Sequence, residues 1–190
     1  MIQRGGSLLI VSAQTKFNES LKELTAARGY AVSLVTSVSN AKRKVNERSY
    51  DHVLVNAPLP DDNGVRFAAD CSQGSSAVLL LVREELYAEV FSMVCPCGVY
   101  MLPKPTSRQM LMQAFDWLES THERLTRLEK KTLSAEEKLE EIRRVNRAKL
   151  LLISNEGLSE TDAHHRIEKM AMDNGITKLT AADLIINKYE

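Results

Sequence analysis

Residues 51–64 read DHVLVNAPLPDDNG. The apolar run is too short for a helix, and it breaks at Asn56 into Pro58, Pro60, Asp61, Asp62, Asn63 and Gly64. Such a run bounded by turn-forming residues reads as a buried strand delivering a loop at its C-terminal end. Working outward, the same unit recurs. SLLIVS (7–12) and AVSLVT (31–36) precede this strand, and AVLLLV (77–82) and GVYML (98–102) follow it. Between them lie helical spacings: 16–29, with Phe17, Leu21 and Leu24 on one face and Gly29 as its stop, then 39–50, a stretch near 64–71, and 84–94. Strand–helix alternation repeated five times implies a parallel sheet with helices on both faces. Continuously apolar strands fit burial on both sides of such a sheet.

The chain has 190 residues, with 25 Lys and Arg against 25 Asp and Glu, 44% hydrophobic and 26% charged residues. This is globular composition and argues against global disorder. Neutrality excludes a generic polycation that coats nucleic acid. The longest apolar runs, AVLLLV (77–82) and LLLI (150–153), are too short to span a bilayer. The polar start MIQRGGS carries no signal-peptide core. Three cysteines, an odd number, point to a reducing cytoplasm over a disulfide framework. Cys95-Pro96-Cys97 lacks the second ligand cluster that a metal site needs, so inert thiols and no metal are expected. His52, His122, His164 and His165 are too scattered to build a catalytic centre, and neither an enzyme site nor a cofactor site can be assembled.

From Pro105 onward no strand is evident. Leu111, Ala114, Leu118, Thr121, Leu125, Leu128, Thr132, Ala135, Leu139 and Ile142 follow the alternating three–four spacing of a heptad seam. Leu111, Leu118, Leu125, Leu128, Leu139 and Ile142 are therefore candidates for a homodimer seam. A long helix folding back on the first domain would show the same spacing. Ser134 with Glu137 resembles a capping box that would break the helix there. The expected domains are 1–105, a linker helix over 106–141, and a small helical unit over 142–190. In the last, Ser159 with Asp162 caps a helix that stops before Gly175, and Thr177 or Thr180 opens another. Residues 116–141 hold 5 basic and 8 acidic groups, whereas 142–155 hold Arg143, Arg144, Arg147 and Lys149 and no acid. Such a face attracts phosphates, although solvated helix faces often look alike.

The order of strands, the segment LVN-x-P-L-P-x-x-N-G, and the fifth strand running into Lys104-Pro105 resemble the receiver domain of bacterial response regulators. That resemblance implies a flavodoxin-like (βα)5 fold, an Asp acceptor ending the third strand, an acidic pair after the first, a hydroxyl ending the fourth and a Lys after the fifth. These positions hold Asn56, Ser12 with Ala13, Val82 and Lys104. Only Lys104 matches. An amide cannot form an acyl phosphate, and Ser12 and Ala13 offer no carboxylate to a hard cation. The aromatic-switch position holds Met101. The remaining carboxylates, Asp51 at the wrong end of its strand and the Asp61-Asp62 loop, read as structural. A receiver fold without its phosphoryl switch is expected.

RAKLLLISNEGLSETDAHHRIEKMAMDNGITKLTAADLII (147–186) resembles the ANTAR domain, an RNA-binding module of transcription antiterminators. The resemblance rests on Ala148-Lys149, the Gly157 turn with Ser159 and Ala163, Ala171-Met172, and Lys178-Leu179 with Ala182. Leu150 stands where Gly is usual, and Ile142 falls where a basic residue is usual, with Arg143 one step later. The resemblance implies capture of tandem stem-loops in nascent mRNA leaders, with a dimer presenting two modules. Arg143, Arg144, Arg147 and Lys149 are the first candidates for RNA contact, and Arg166, Lys169 and Lys178 the next. With no phosphoryl switch, control falls to a protein partner on the receiver-like domain or to dimerisation. The rival reading is an interaction scaffold that never touches RNA.

Overall fold

A computed structural model describes residues 5–189. The beginning of the polar MIQRGGS segment, residues 1–4, lies outside the described residues. The chain divides after Arg127 into two compact units, each described by itself.

In the first unit, β1 (Ser7–Val11), β2 (Ala31–Val35), β3 (His52–Asn56), β4 (Ala77–Arg83) and β5 (Tyr100–Lys104) form one parallel sheet in the order β2-β1-β3-β4-β5. This is the flavodoxin-like winding, with its topological switch point between β1 and β3. Strand alternation sorts the side chains. Leu9, Val53, Val55, Leu80 and Val82 face α2 (Val38–Glu47), α3 (Val65–Ser72) and α4 (Tyr87–Val94). Leu8, Ile10, Leu54, Leu79 and Leu81 face α1 (Thr15–Ala27) and the start of α5 (Arg108–Glu156). Burial on both faces holds for β1, β3 and β4, but β2 is an edge strand and leaves Val32 and Leu34 exposed. The stretch 84–94 opens with a short 3₁₀ turn, Glu84–Leu86, before α4. The fifth strand starts two residues later than its sequence pattern suggests. Gly98, at φ 79°, terminates a second 3₁₀ turn over Cys95–Cys97.

The capping signals operate as chemistry requires. The Ser37 hydroxyl accepts from the Asn40 N–H and opens α2. Gly64 sits at φ 75° before α3, and a Cβ there would come 2.9 Å from Val55 Cγ1, so both backbone and space demand glycine. Asp61 accepts from the N–H groups of Ser39 and Val38, at 2.9 Å each. Those bonds to the first turn of α2 hold its pKa down to about 2.

α5 is one helix of 49 residues, unbroken at Ser134. Its first turns correct the sequence reading of this region. Leu111, Ala114, Phe115 and Leu118 are buried against β-strand residues and α1, inside the core of the first unit. Leu111 and Leu118 therefore cannot belong to a dimer seam, and the receiver-like core extends beyond residue 105. The heptad spacing there marks an amphipathic helix lying on its own sheet.

In the second unit, the end of α5 packs with α6 (Glu160–Asn174) and α7 (Lys178–Tyr189). Its core is Ala148, Leu152, Ala163, Ile167, Ala171, Ala181, Ala182, Ile185 and Ile186. Alanine on all three helices lets their backbones approach closely, so a small unit can close around a few branched side chains. Ser159 caps α6 by accepting from the Asp162 N–H at 3.1 Å, and Gly175, at φ 61°, ends it. The Thr177 hydroxyl accepts from the Thr180 N–H and opens α7.

His52, at the start of β3, is buried against the rings of Tyr30 (5.3 Å, edge-on) and His122 (5.2 Å). Burial, with the neighbouring His122, pulls its pKa down to about 4, against a small opposing pull from Asp51. Between pH 6.5 and about 4 an unfolded chain takes up a proton that the folded site refuses, so stability falls as pH falls through that window. Midpoints of urea unfolding at pH 7 and pH 4.5 should differ less in His52→Phe than in the wild type. Equal pH sensitivity in both would show that His52 contributes nothing to it.

Candidate functional site

Two sets of residues bear on function, one in each unit. In the first, Asn56 ends β3 fully buried. Its amide nitrogen donates to Ser12 Oγ at 3.0 Å and Gln14 Oε1 at 3.4 Å. Its Oδ1 accepts from Lys104 Nζ at 2.8 Å, and Lys104 also donates to the Ala57 carbonyl. The amide thus satisfies a hydroxyl on one side and an ammonium on the other. A carboxylate there could accept from Lys104, but it could not donate to Ser12. Ser12 is itself tied down, its carbonyl accepting from Asn18 Nδ2 at 3.1 Å. Val82 is buried in the core, and Ala13 is exposed.

Among the described residues no carboxylate bonds to this network. Asp61 caps α2, Asp62 holds the Gly64 N–H at 2.7 Å, and Asp51 accepts from both the N–H and the hydroxyl of Ser7 at the opposite strand ends. Gln14 is the member that sequence reading missed. It lies two residues beyond Ser12, and nothing in its local pattern distinguishes it. The Cys71 thiol is pushed up to about 12, chiefly by burial, and is therefore not a thiolate at neutral pH.

In the second unit, the sequence-selected cations divide into two groups. Arg144 pairs with Glu140 at 3.2 Å and with Asp183 of α7 at 3.3 Å. Lys149 pairs with Glu160 at 3.0 Å, and Lys178 with Glu168 at 2.6 Å. These three tie the helices together. Arg143, Arg166 and Lys169 are exposed and make no ion pair among the described residues. Arg147, also exposed, lies four residues from Arg143, on the face of α5 opposite the buried Ala148 and Leu152. The two positions that depart from the ANTAR pattern, Ile142 and Leu150, are both largely exposed. Neither disturbs the three-helix core.

Residues 134–186 match the ANTAR domain family. The chain carries an ANTAR domain. It is 24% identical over 183 residues to the transcriptional regulatory protein PdtaR of Mycobacterium tuberculosis, covering 94% of this chain and 88% of that one. Among solved structures, the first unit resembles the signal receiver domain of an HD domain-containing protein from Pseudomonas fluorescens Pf-5. That match has TM-score 0.54 and 24% identity, over 65% of this chain and 96% of that chain. A structure described as adenylate cyclase from Rhodopirellula baltica matches at TM-score 0.61 and 16% identity, over 66% of this chain and 96% of that chain. At such identities the likeness establishes the receiver fold and transfers no chemistry. The ANTAR match begins within α5, so one continuous helix belongs in part to each fold. No helix among the described residues is long and apolar enough to cross a membrane.

Proposed function

We propose that this ANTAR regulator is a cytoplasmic RNA-binding transcription antiterminator that captures tandem stem-loops in nascent mRNA leaders. It acts by occupancy, without covalent chemistry. The observation that carries this reading is the ANTAR match over 134–186 on a folded three-helix unit whose α5 face exposes Arg143 and Arg147. Loop bases of RNA are accessible where the A-form major groove is not, and a basic helix face suits the phosphates around them. Arg166 and Lys169 extend the contact, while Arg144, Lys149 and Lys178 principally hold the module in shape. Titrating a tandem stem-loop RNA into the full chain tests the reading. Saturable binding that weakens when one loop is deleted is expected. Equal affinity for an unstructured RNA of the same length would sink the stem-loop reading, and no binding of either RNA would favour a scaffold.

The receiver-like domain is read as permanently unphosphorylated, because Asn56 offers an amide and the metal-binding carboxylates are replaced by Ser12 and Ala13. Acetyl phosphate treatment with Mg²⁺ should leave the intact mass unchanged. Asn56→Asp should also remain unmodified, since restoring the acceptor does not restore the cation site. A labile phosphate adduct on the wild-type chain would overturn this.

Homodimerisation is assigned to the part of α5 beyond the receiver core. Leu128, Leu139 and Ile142 are 51%, 48% and 57% exposed and keep the three–four spacing, with the half-buried Leu125 at its start. Leu128→Asp with Ile142→Asp should convert a dimer to a monomer by light scattering while leaving helicity unchanged. A wild-type chain already monomeric at high micromolar concentration would remove the seam. Two modules on one dimer would raise the effective concentration of the second RNA loop without new contacts. Control by a protein partner docking on the receiver-like domain completes the reading. Antitermination activity that is already maximal in cells lacking any partner would exclude it.

A further inference from the structure

The C-terminal ends of the strands form the crevice where open parallel sheets of this kind hold ligands. In this chain that edge carries an unusual charge arrangement. Lys104 and Arg83 are register partners on β5 and β4, so two cations stand side by side across neighbouring strands. Like charges directly opposite are unfavourable unless something neutralises them. Lys104 spends N–H bonds on Asn56 and Ala57, both uncharged groups. Arg83 makes no hydrogen bond or ion pair among the described residues. Burial, and then Arg83 itself, pull the pKa of Lys104 below the ordinary lysine value, as expected for an ammonium facing a second cation with no carboxylate at hand.

Both residues line a cavity of about 520 Å³ between α1 and the start of α5. A third cation, Arg108, stands at its rim. Its ion pair to Glu23, at 3.6 Å, joins two largely exposed side chains and is worth little. No Asp or Glu lines the cavity, and its floor is apolar, with Phe17, Leu24 and Leu111.

We propose that this cavity is a non-covalent binding site for a small organic phosphate, whose anion sits between Lys104, Arg83 and Arg108 and whose body rests on the apolar floor. A phosphate monoester carries about −1.5 to −2 charges at neutral pH, enough to neutralise the adjacent pair and engage the third cation. Arginine matches phosphate oxygens with two parallel N–H bonds, and lysine supplies a point charge. An apolar wall with a few convergent polar groups is the usual make-up of a small-molecule site. With Ser12 and Ala13 following β1, that strand end supplies no carboxylate to neutralise the Arg83 and Lys104 pair. Binding here is independent of RNA capture, so the two readings stand or fall separately.

Isothermal titration of the full chain with phenyl phosphate, inorganic phosphate, benzoate and benzyl alcohol tests this at constant ionic strength. Phenyl phosphate should bind saturably and at least tenfold more tightly than inorganic phosphate or benzoate, and benzyl alcohol should not bind. Arg83→Gln, a surface change that leaves folding intact, should weaken phenyl phosphate binding about tenfold. Lys104→Gln should weaken it further. Asn56→Asp should also weaken it by placing an anion against Lys104. Undetectable binding of phenyl phosphate, or wild-type affinity in Arg83→Gln, would overturn the proposal. Equal binding of benzoate or benzyl alcohol would overturn the assignment to phosphate.

Discussion

Replacing Phe115 with alanine should destabilise the receiver-like unit by about 3–5 kcal/mol, the range for removing a fully buried aromatic ring. Phe115 is completely buried on α5. Its ring lies 5.5 Å from that of Tyr30 at a tilt of 43°, and the Arg28 guanidinium sits over it at 5.9 Å. Arg28 in turn pairs with Asp116 at 2.8 Å, so the cavity opened by Phe115→Ala loosens a ring contact and the setting of an ion pair. The chain has one tryptophan, Trp117, which stacks on Tyr100 of β5 at 6.2 Å. Its fluorescence therefore follows unfolding of this unit. Leu118→Ala should cost about 2–5 kcal/mol in the same transition, whereas Leu128→Ala, on an exposed position, should stay within about 0.5 kcal/mol. Equal effects of Leu118→Ala and Leu128→Ala would mean that α5 does not dock on the sheet as described.

The double substitution Arg143→Ala with Arg147→Ala should weaken binding of a tandem stem-loop RNA by roughly 30- to 140-fold, taking about 1–1.5 kcal/mol for each lost charged contact. The logarithmic dependence of affinity on salt should also become shallower, by about 0.7–0.9 for each phosphate contact removed. Both side chains project from the face of α5 opposite its buried stripe, so circular dichroism and thermal midpoint should barely move. Arg144→Ala behaves differently. It removes the pair to Asp183 and leaves that carboxylate unanswered, so its effect should appear at least as much in the stability of the three-helix unit as in RNA affinity. Unchanged affinity and salt slope in the double variant would remove α5 from the RNA interface.

Much of the fold is legible along the chain because its signals are local. The apolar runs of β1, β3 and β4, the turn after Asn56, the Ser159 cap and the Gly175 stop each depend on neighbours within a few residues. The ANTAR pattern is legible for the same reason, since its small residues recur at fixed short spacings. The pairings of the cations were not legible. Arg144 finds Asp183, and Lys104 stands beside Arg83, only because helices and strands distant in sequence are brought together. Gln14 reaches Asn56 in the same way.

The heptad spacing shows most clearly where the division falls. By itself the sequence determined a doubly wound receiver-like domain, the replacement of its acceptor by an amide, a long amphipathic helix and a small basic helical module. Periodicity establishes that one face of a helix is apolar, because 3.6 residues per turn places those side chains together. It does not say what covers that face. Only the tertiary structure decided that Leu111 and Leu118 are covered by the chain's own sheet while Leu128, Leu139 and Ile142 remain exposed. Burial is a property of the surface that a side chain meets, and that surface is assembled by residues distant in the chain, as Leu8 and Leu118 are.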